Sequence, residues 1–396
     1  MHVIIFDDLK HKSFYPITQT RSVGDIRCGI LKLRQRLGQA FDAQQECVLI
    51  DPLLADIYQE RHADWLINTV PEGDKLYLNS RLRLDDTAQA EIKALQPNQA
   101  LYSGEYCVAV RTSQALAFGF QDIPDAKKRQ SQIMLYQHLT DIVHDNSRLI
   151  TRDFETVFYD ADNFFEIETG VSVLNPYQVW LAEGVTLAPN VVLDASGGPI
   201  VIDCEARVMA GSVIQGPAYI GKKSVVKIGA KIYPGTSIGP VCKIGGEVED
   251  SIFQAYSNKQ HDGFLGHAFI GEWVNLGAGT NDSDLKNTYK NVNTYDYQSQ
   301  SVIDSGSQFM GCVLGDHVKT GINTSLNTGL VVGTGSSIYG SKLFSGFVPD
   351  FSWGEAESLT KYRFSAFCDT VAIVKQRRGL SLSENEQVLL RQISGE

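Results

Sequence analysis

The chain has 396 residues, 43% hydrophobic and 20% charged, with a formal net charge of −11. That length favours two domains over one, and the composition is that of a globular chain able to bury a sizeable core. With an acidic balance and no basic stripe to neutralise a phosphate backbone, nucleic acid is excluded as the main partner.

Residues 1–11 (MHVIIFDDLKH) place a short apolar run ahead of Asp7 and Asp8. The run is too short for a signal peptide, and no other run approaches a membrane span, so a cytoplasmic protein with no membrane partner is expected. The seven cysteines are scattered without a CxxC pair, which fits reduced thiols better than a disulfide framework.

Residues 3–6 read as a buried strand. A helical spacing follows at Ile26, Ile30, Leu33 and Leu37, then short strand runs at 48–50, 65–67 and 76–78, the last before the turn at Asn79. This alternation predicts an α/β domain over residues 1–165, with ligands at the carboxyl ends of the strands.

A different period governs residues 170–345. Ile202, Val208, Ile214, Ile220, Val226, Ile232, Ile238 and Ile244 stand six apart without a miss. The spacing resumes at Ile270 and Leu276, and again at Leu314, Thr320, Leu326, Val332 and Ile338. A helix wants three or four and an ordinary strand wants two; a period of six predicts a parallel β-solenoid with those residues inside. The glycines after Ile220, Ile238 and Ile244 are expected at corners with positive φ. Departures at 253–264 and 281–300 are expected to carry function, since the core positions are committed to packing. Residues 346–396 leave the period. There 347–354 (FVPDFSWG) is expected to close the coil end, and Ser383 with Glu386 forms a capping box before a short helix.

The strongest chemical signal is 257–280 (SNKQHDGFLGHAFIGEWVNLGAGT). Acyl transfer to an amine needs a base to take the proton as nitrogen attacks a thioester, and an imidazole, with its ordinary pKa near ~6.5, suits that at neutral pH. His261 is the candidate base and Asn275 a candidate sugar contact; the alternative for His261 is an ordinary surface-loop histidine.

The hexapeptide period resembles the left-handed parallel β-helix of the hexapeptide-repeat acyltransferases. The spacing from His261 through Phe264 and Asn275 to 277–280 (GAGT) resembles the acetyltransferase half of the bifunctional GlmU family. Residues 14–31 (FYPITQTRSVGDIRCGIL), 145–154 (DNSRLITRDF) and 245–267 resemble a related sugar nucleotidyltransferase branch along nearly the whole chain. The resemblance implies acetyl-CoA as acyl donor, Mg²⁺ for nucleotidyl transfer, and a nucleoside triphosphate or nucleotide sugar and a sugar phosphate as ligands. It also implies a homotrimer.

Departures from that family are visible. Tyr233 stands before Pro234-Gly235 where an arginine is expected, and Glu249-Asp250 stand where lysines are, so Lys227, Lys231 and Lys286 are the compensating candidates for a sugar phosphate. Phe264 replaces a tyrosine. The Gly-rich triphosphate loop is missing, which leaves Arg21, Arg27 and Lys32 as candidate cations and Asp7, Asp8 or Asn79 as candidate metal ligands. Each is equally explained as a strand-end cap or a solvated helix face. Two other classes compete: a non-catalytic sugar-nucleotide sensor or scaffold, and a zinc enzyme using His261, His267 and His317.

Overall fold

The structure, a computed structural model, describes residues 1–120, 123, 125–164 and 169–396. Contacts divide the chain into two compact units: Met1–Ile26, Leu31–His138 and Leu382–Gly395 form the first, and Arg27–Ile30 with Leu139–Ser381 the second.

The first unit is built on a seven-stranded sheet of β1 (His2–Phe6), β2 (Cys47–Leu49), β3 (Leu66–Ile67), β4 (Lys75–Asn79), β5 (Gln99–Ser103), β6 (Tyr106–Thr112) and β7 (Lys127–Gln130). Their order is β3-β2-β1-β4-β6-β5-β7, with β6 antiparallel to both its neighbours. In β1, Val3 and Ile5 join one core cluster while Ile4 and Phe6 join another. Burial on both faces explains why that strand is continuously apolar instead of alternating. Helices α1 (Leu33–Ala40), α2 (Ala55–Arg61) and α3 (Asp86–Lys93) belong to the same unit.

The helical spacing seen from Ile26 is a helix only from Leu33 onward. Gly29 takes φ +77° in the preceding segment, and Arg27–Ile30 are held in the second unit. There α4 (Leu139–Asp153) fixes them: Asn146 Oδ1 accepts from Gly29 N at 2.6 Å, and Asp153 Oδ2 from Ile30 N at 2.9 Å. Because Asn146 Nδ2 also donates to Gly235 O at 2.7 Å, α4 belongs with the coil, and a division at residue 165 does not follow the contacts.

The second unit is a parallel β-helix, with strands stacked rung on rung in parallel register. Its inward ladders follow the six-residue period. One runs Ile202, Ile220, Ile238, Phe253, Ile270, Leu314, Val332, Val348. Another runs Leu193, Ile214, Ile232, Val248, Leu265. All eight residues from Ile202 to Ile244 are buried in one cluster.

Gly221, Gly239 and Gly245 do not take positive φ; the corner residues that do include Lys223, Val241 and Gly246. Those three glycines answer close approach of successive rungs. A Cβ on Gly239 would lie 1.7 Å from Gln254 O. The stretch 253–264 is also less of a departure than its sequence implies, because Ile252–Phe253 and Asn258–Lys259 remain in register as rungs. A second departure carries the hairpin of Asn293–Asp296 and Ser301–Asp304.

Past the last rungs, Ser352–Glu355 turns antiparallel onto Ser358–Lys361, so FVPDFSWG does close this end. Helix α5 (Phe364–Gln376) follows, with Phe367 4.7 Å from the Phe351 ring. Ser383 Oγ accepts from Glu386 N at the start of α6 (Glu384–Ser394), as the capping pattern requires. That helix belongs to the first unit, where Leu389 joins the cluster of Val48, Ile50 and Ile57.

Ile220→Ala should cost about 2–5 kcal/mol, because a fully buried rung position cannot collapse around the void. Equilibrium denaturation of the variant against the parent measures it.

Candidate functional site

In the first unit the candidate residues are engaged internally. Asp7 is buried and accepts from Ser22 Oγ at 3.0 Å, Val23 N at 3.2 Å and Ser80 Oγ at 2.6 Å; burial pushes its carboxyl up to about 6. Asp8 accepts from Asn79 Nδ2 at 2.9 Å and forms an ion pair with Arg81, a fully buried arginine that sequence reasoning missed. Asn79 also donates to Cys107 O, and its Oδ1 accepts from Arg81 N. A metal would have to break these bonds, so Asp7, Asp8 and Asn79 do not fit Mg²⁺; among the described residues no group of three His, Cys, Asp or Glu does. Within the chain, His261, His267 and His317 do not come together as a group of three metal ligands among the described residues.

The expected cations fare similarly. Lys32 pairs with Asp25 at 2.7 Å, beside Arg34 at 3.0 Å. Arg21 is buried. Arg27 lies in the other unit, with its backbone N donating to Gln254 Oε1 and its guanidinium 5.2 Å over Tyr219. A cavity of about 350 Å³ does open at the carboxyl end of β1, walled by Phe6, Asp8, Lys10, Glu105, Tyr106 and Phe120.

On the coil, Lys231 is neutralised by Glu247 at 2.7 Å, and Lys286 donates to Asn291 O at 2.6 Å. Lys227 and Phe264 are half-buried, and Phe264 N donates to Asn281 Oδ1.

What the coil does assemble is a column of corner residues at positive φ: Val241, Tyr256, Trp273 and His317. Each backbone N–H bonds the corner of the rung before it, which stacks their side chains. The Tyr256 and Trp273 rings lie 4.2 Å apart at 4°, and the His317 ring continues the stack at 6.3 Å. Helix α5 docks on this column, with Lys375 Nζ 5.5 Å over Trp273 and Phe367 edge-on to His317.

Docking brings Arg377 and Arg378, just past α5, into a cavity of about 280 Å³ with Lys243, Lys319, Tyr256, Asn258, Gln260, Trp273 and Asn275. Four cations line it and no carboxylate does, in a chain of net charge −11. Burial pushes the Lys319 ammonium down to about 8, and Lys243 is lowered by burial and then by the charges of Arg378, Lys227 and Arg377. Such mutual repulsion is relieved by an anion. Of the residues expected from sequence, Asn275 lies in this wall, and Gln260, the neighbour of exposed His261, is in it too.

A second imidazole is better oriented than His261. His267 Nδ1 lies 2.8 Å from Asp284 Oδ2, its Nε2 3.6 Å from Asp250, and its ring stacks on Phe309 at 5.1 Å. Burial opposes its charge, but the Asp284 bond and the charges of Asp250 and Asp284 outweigh it and raise the pKa. His144 of α4 lies 5.7 Å away, lowered by burial and then by His267. Glu249 and Asp250, read from sequence as a pair repelling a phosphate, belong to this cluster, with both carboxyls raised by burial.

Residues 3–161 match the family described as sugar nucleotidyl transferase. The bifunctional protein GlmU of Bartonella quintana is 26% identical over 245 residues, 58% of this chain and 49% of that protein. A bifunctional sugar-1-phosphate nucleotidylyltransferase/acetyltransferase of Sulfurisphaera tokodaii is 34% identical over 144 residues, 36% of this chain and 35% of that protein. Over these stretches the chain is similar to GlmU proteins. It spans about half, or less, of the length of these curated relatives. A solved Arabidopsis UDP-N-acetylglucosamine acyltransferase aligns with 14% identity and a TM-score of 0.30, over 55% of this chain and 79% of that one. Among the described residues no helix is long and apolar enough to cross a membrane.

The ammonium of Lys319 is present below about 8 and lost above it, against an ordinary 10.5. Pyrophosphate affinity for the cavity should therefore be highest below pH 8 and fall about 10-fold between pH 7 and pH 9, one unit past the midpoint. Calorimetric titration at both pH values checks this, and a flat response would count against the charge assignment.

Proposed function

We propose that the coil unit transfers an acyl group from a CoA thioester to the amine of an amino-sugar phosphate or nucleotide sugar. The observation that carries this is the four-cation cavity next to the His261 loop, suited to the phosphates of the acyl donor. His261 takes the proton from the attacking amine as the N–C bond forms. The C–S bond then breaks, and the proton passes to the departing thiolate. Asn275 contributes a polar contact on the same wall.

The amino-terminal unit, whose sequence matches the sugar nucleotidyl transferase family, is read here as a sugar-nucleotide-binding unit with reduced or altered nucleotidyl chemistry. Its cations already answer Asp8, Asp25 and Glu46, so little charge is left for a triphosphate. No step is assigned to Mg²⁺, which Asp7 and Asp8 do not fit. This supports a non-catalytic role for that half while leaving the coil a transferase.

On this reading the protein is a cytoplasmic homotrimer supplying modified sugars to the cell envelope. Seven free thiols fit a reducing compartment, and Ile228 and Ile322 expose apolar side chains on the coil that assembly would cover.

Thiol release from acetyl-CoA should be detectable with at least one amino-sugar 1-phosphate or UDP- or dTDP-amino sugar. His261→Ala should reduce it about 100-fold or more while leaving CoA binding intact, as expected for loss of a general base. Undiminished turnover in that variant would reassign the base, with His267 next in line. No thiol release by the parent protein with any acceptor would overturn the transferase reading.

A further inference from the structure

Among the described residues of the coil, two charged side chains beside the His261 loop occupy inward ladder positions. Lys259 follows Ile244 in its ladder, and Asp282 pairs with the core residue Leu326. Both are buried, Lys259 at 2% exposure and Asp282 at 7%. Burial depresses the Lys259 ammonium to about 8 and raises the Asp282 carboxyl to about 7, so neither is placed there at low cost. An aliphatic residue would serve the coil better at both sites.

Their hydrogen bonds show what they hold. Lys259 Nζ donates to Gly245 O at 2.9 Å, His261 O at 3.2 Å and Gly263 O at 2.5 Å. Asp282 accepts from Gly266 N at 2.9 Å and from Cys312 N at 3.2 Å. Between them, Asp262 O accepts from Gly279 N, and Phe264 N donates to Asn281 Oδ1 at 2.8 Å. The carbonyls of the loop are thus tied from one side and its amides from the other.

Two glycines are shaped to the same arrangement. A Cβ on Gly246 would lie 2.6 Å from Lys259 Nζ, and one on Gly263, at φ +128°, would lie 2.1 Å from Thr280 O. Removing either glycine would displace the ammonium or the carbonyl it holds.

We propose that Lys259 and Asp282 are positioning residues: a charged clamp inside the coil that fixes the backbone of 261–266 and so sets where the His261 imidazole stands. Neither touches substrate; each acts through the loop. The proposal rests on His261 being the base, but the clamp itself can be read without turnover.

The test is Lys259→Met in the full chain, which restores an apolar rung of similar reach. Amide exchange over 260–266 should accelerate about 10-fold or more, while Lys243–Ile244 and Phe269–Ile270 keep their protection. The melting temperature should be unchanged or higher. Turnover with acetyl-CoA should lose about 100-fold in kcat with little change in KM, as a misplaced catalytic group does. Lys259→Gln, which keeps two N–H donors, should fall between. Unchanged exchange over 260–266 would overturn the proposal. So would a drop in melting temperature with exchange raised throughout the coil, or failure of both variants to fold, since each makes Lys259 a general stabiliser. If the parent protein shows no turnover, the acyltransferase reading fails while the exchange data still decide the clamp.

Discussion

The six-residue spacing of inward side chains is the constraint on which the second unit depends. It commits one residue in six to a shared apolar core and lines up corner positions directly above one another. Stacked corners are what make the Tyr256–Trp273–His317 column possible, because equivalent residues on successive rungs fall within ring-stacking distance. The column in turn gives α5 its seat, and the chain leaving α5 delivers Arg377 and Arg378 to the cavity. A regular core therefore fixes an irregular, charged surface site several steps removed from it.

Charge has a different use in each unit. In the first, arginines and lysines are matched by carboxylates: half-buried Asp8 by Arg81, and buried Asp25 by Lys32 and Arg34, whose charges hold the Asp25 carboxyl low despite its burial. A buried pair of this kind fixes geometry and leaves little field for a ligand. On the coil, Lys243, Lys319, Arg377 and Arg378 face one cavity with no acid among them. Unmatched like charges are held together only at a cost, which an anionic ligand relieves.

The fold was legible because its signal is periodic and redundant: one miss among eight inward aliphatics would not have hidden the solenoid. The site was only partly legible. His261 and Asn275 stand out by their spacing, and Asn275 does face the cavity. Arg377 and Arg378 could not be found that way, since a helix more than a hundred residues along the chain brings them in. The pair Asp284 and His267 was also hidden, because a hydrogen bond across two rungs leaves no local pattern. Conversely, Asp7, Asp8, Arg27 and Lys32 were plausible ligands by residue type alone. Sequence shows a charge but not the partner that cancels it, and Arg81, the partner of Asp8, lies 73 positions away. Lys259 is the subtler case: it falls on a rung position, yet its type reads as surface, so the rung looked like a departure from the coil.

Amide hydrogen exchange of the full chain with and without CoA decides whether the cation-lined cavity holds the acyl donor. Simultaneous protection is expected at 256–260, 273–275, 317–319 and 374–378, four stretches that meet around the cation-lined cavity. Protection confined to 6–10 and 105–107, around the cavity at the end of β1, or no protection anywhere, would contradict it.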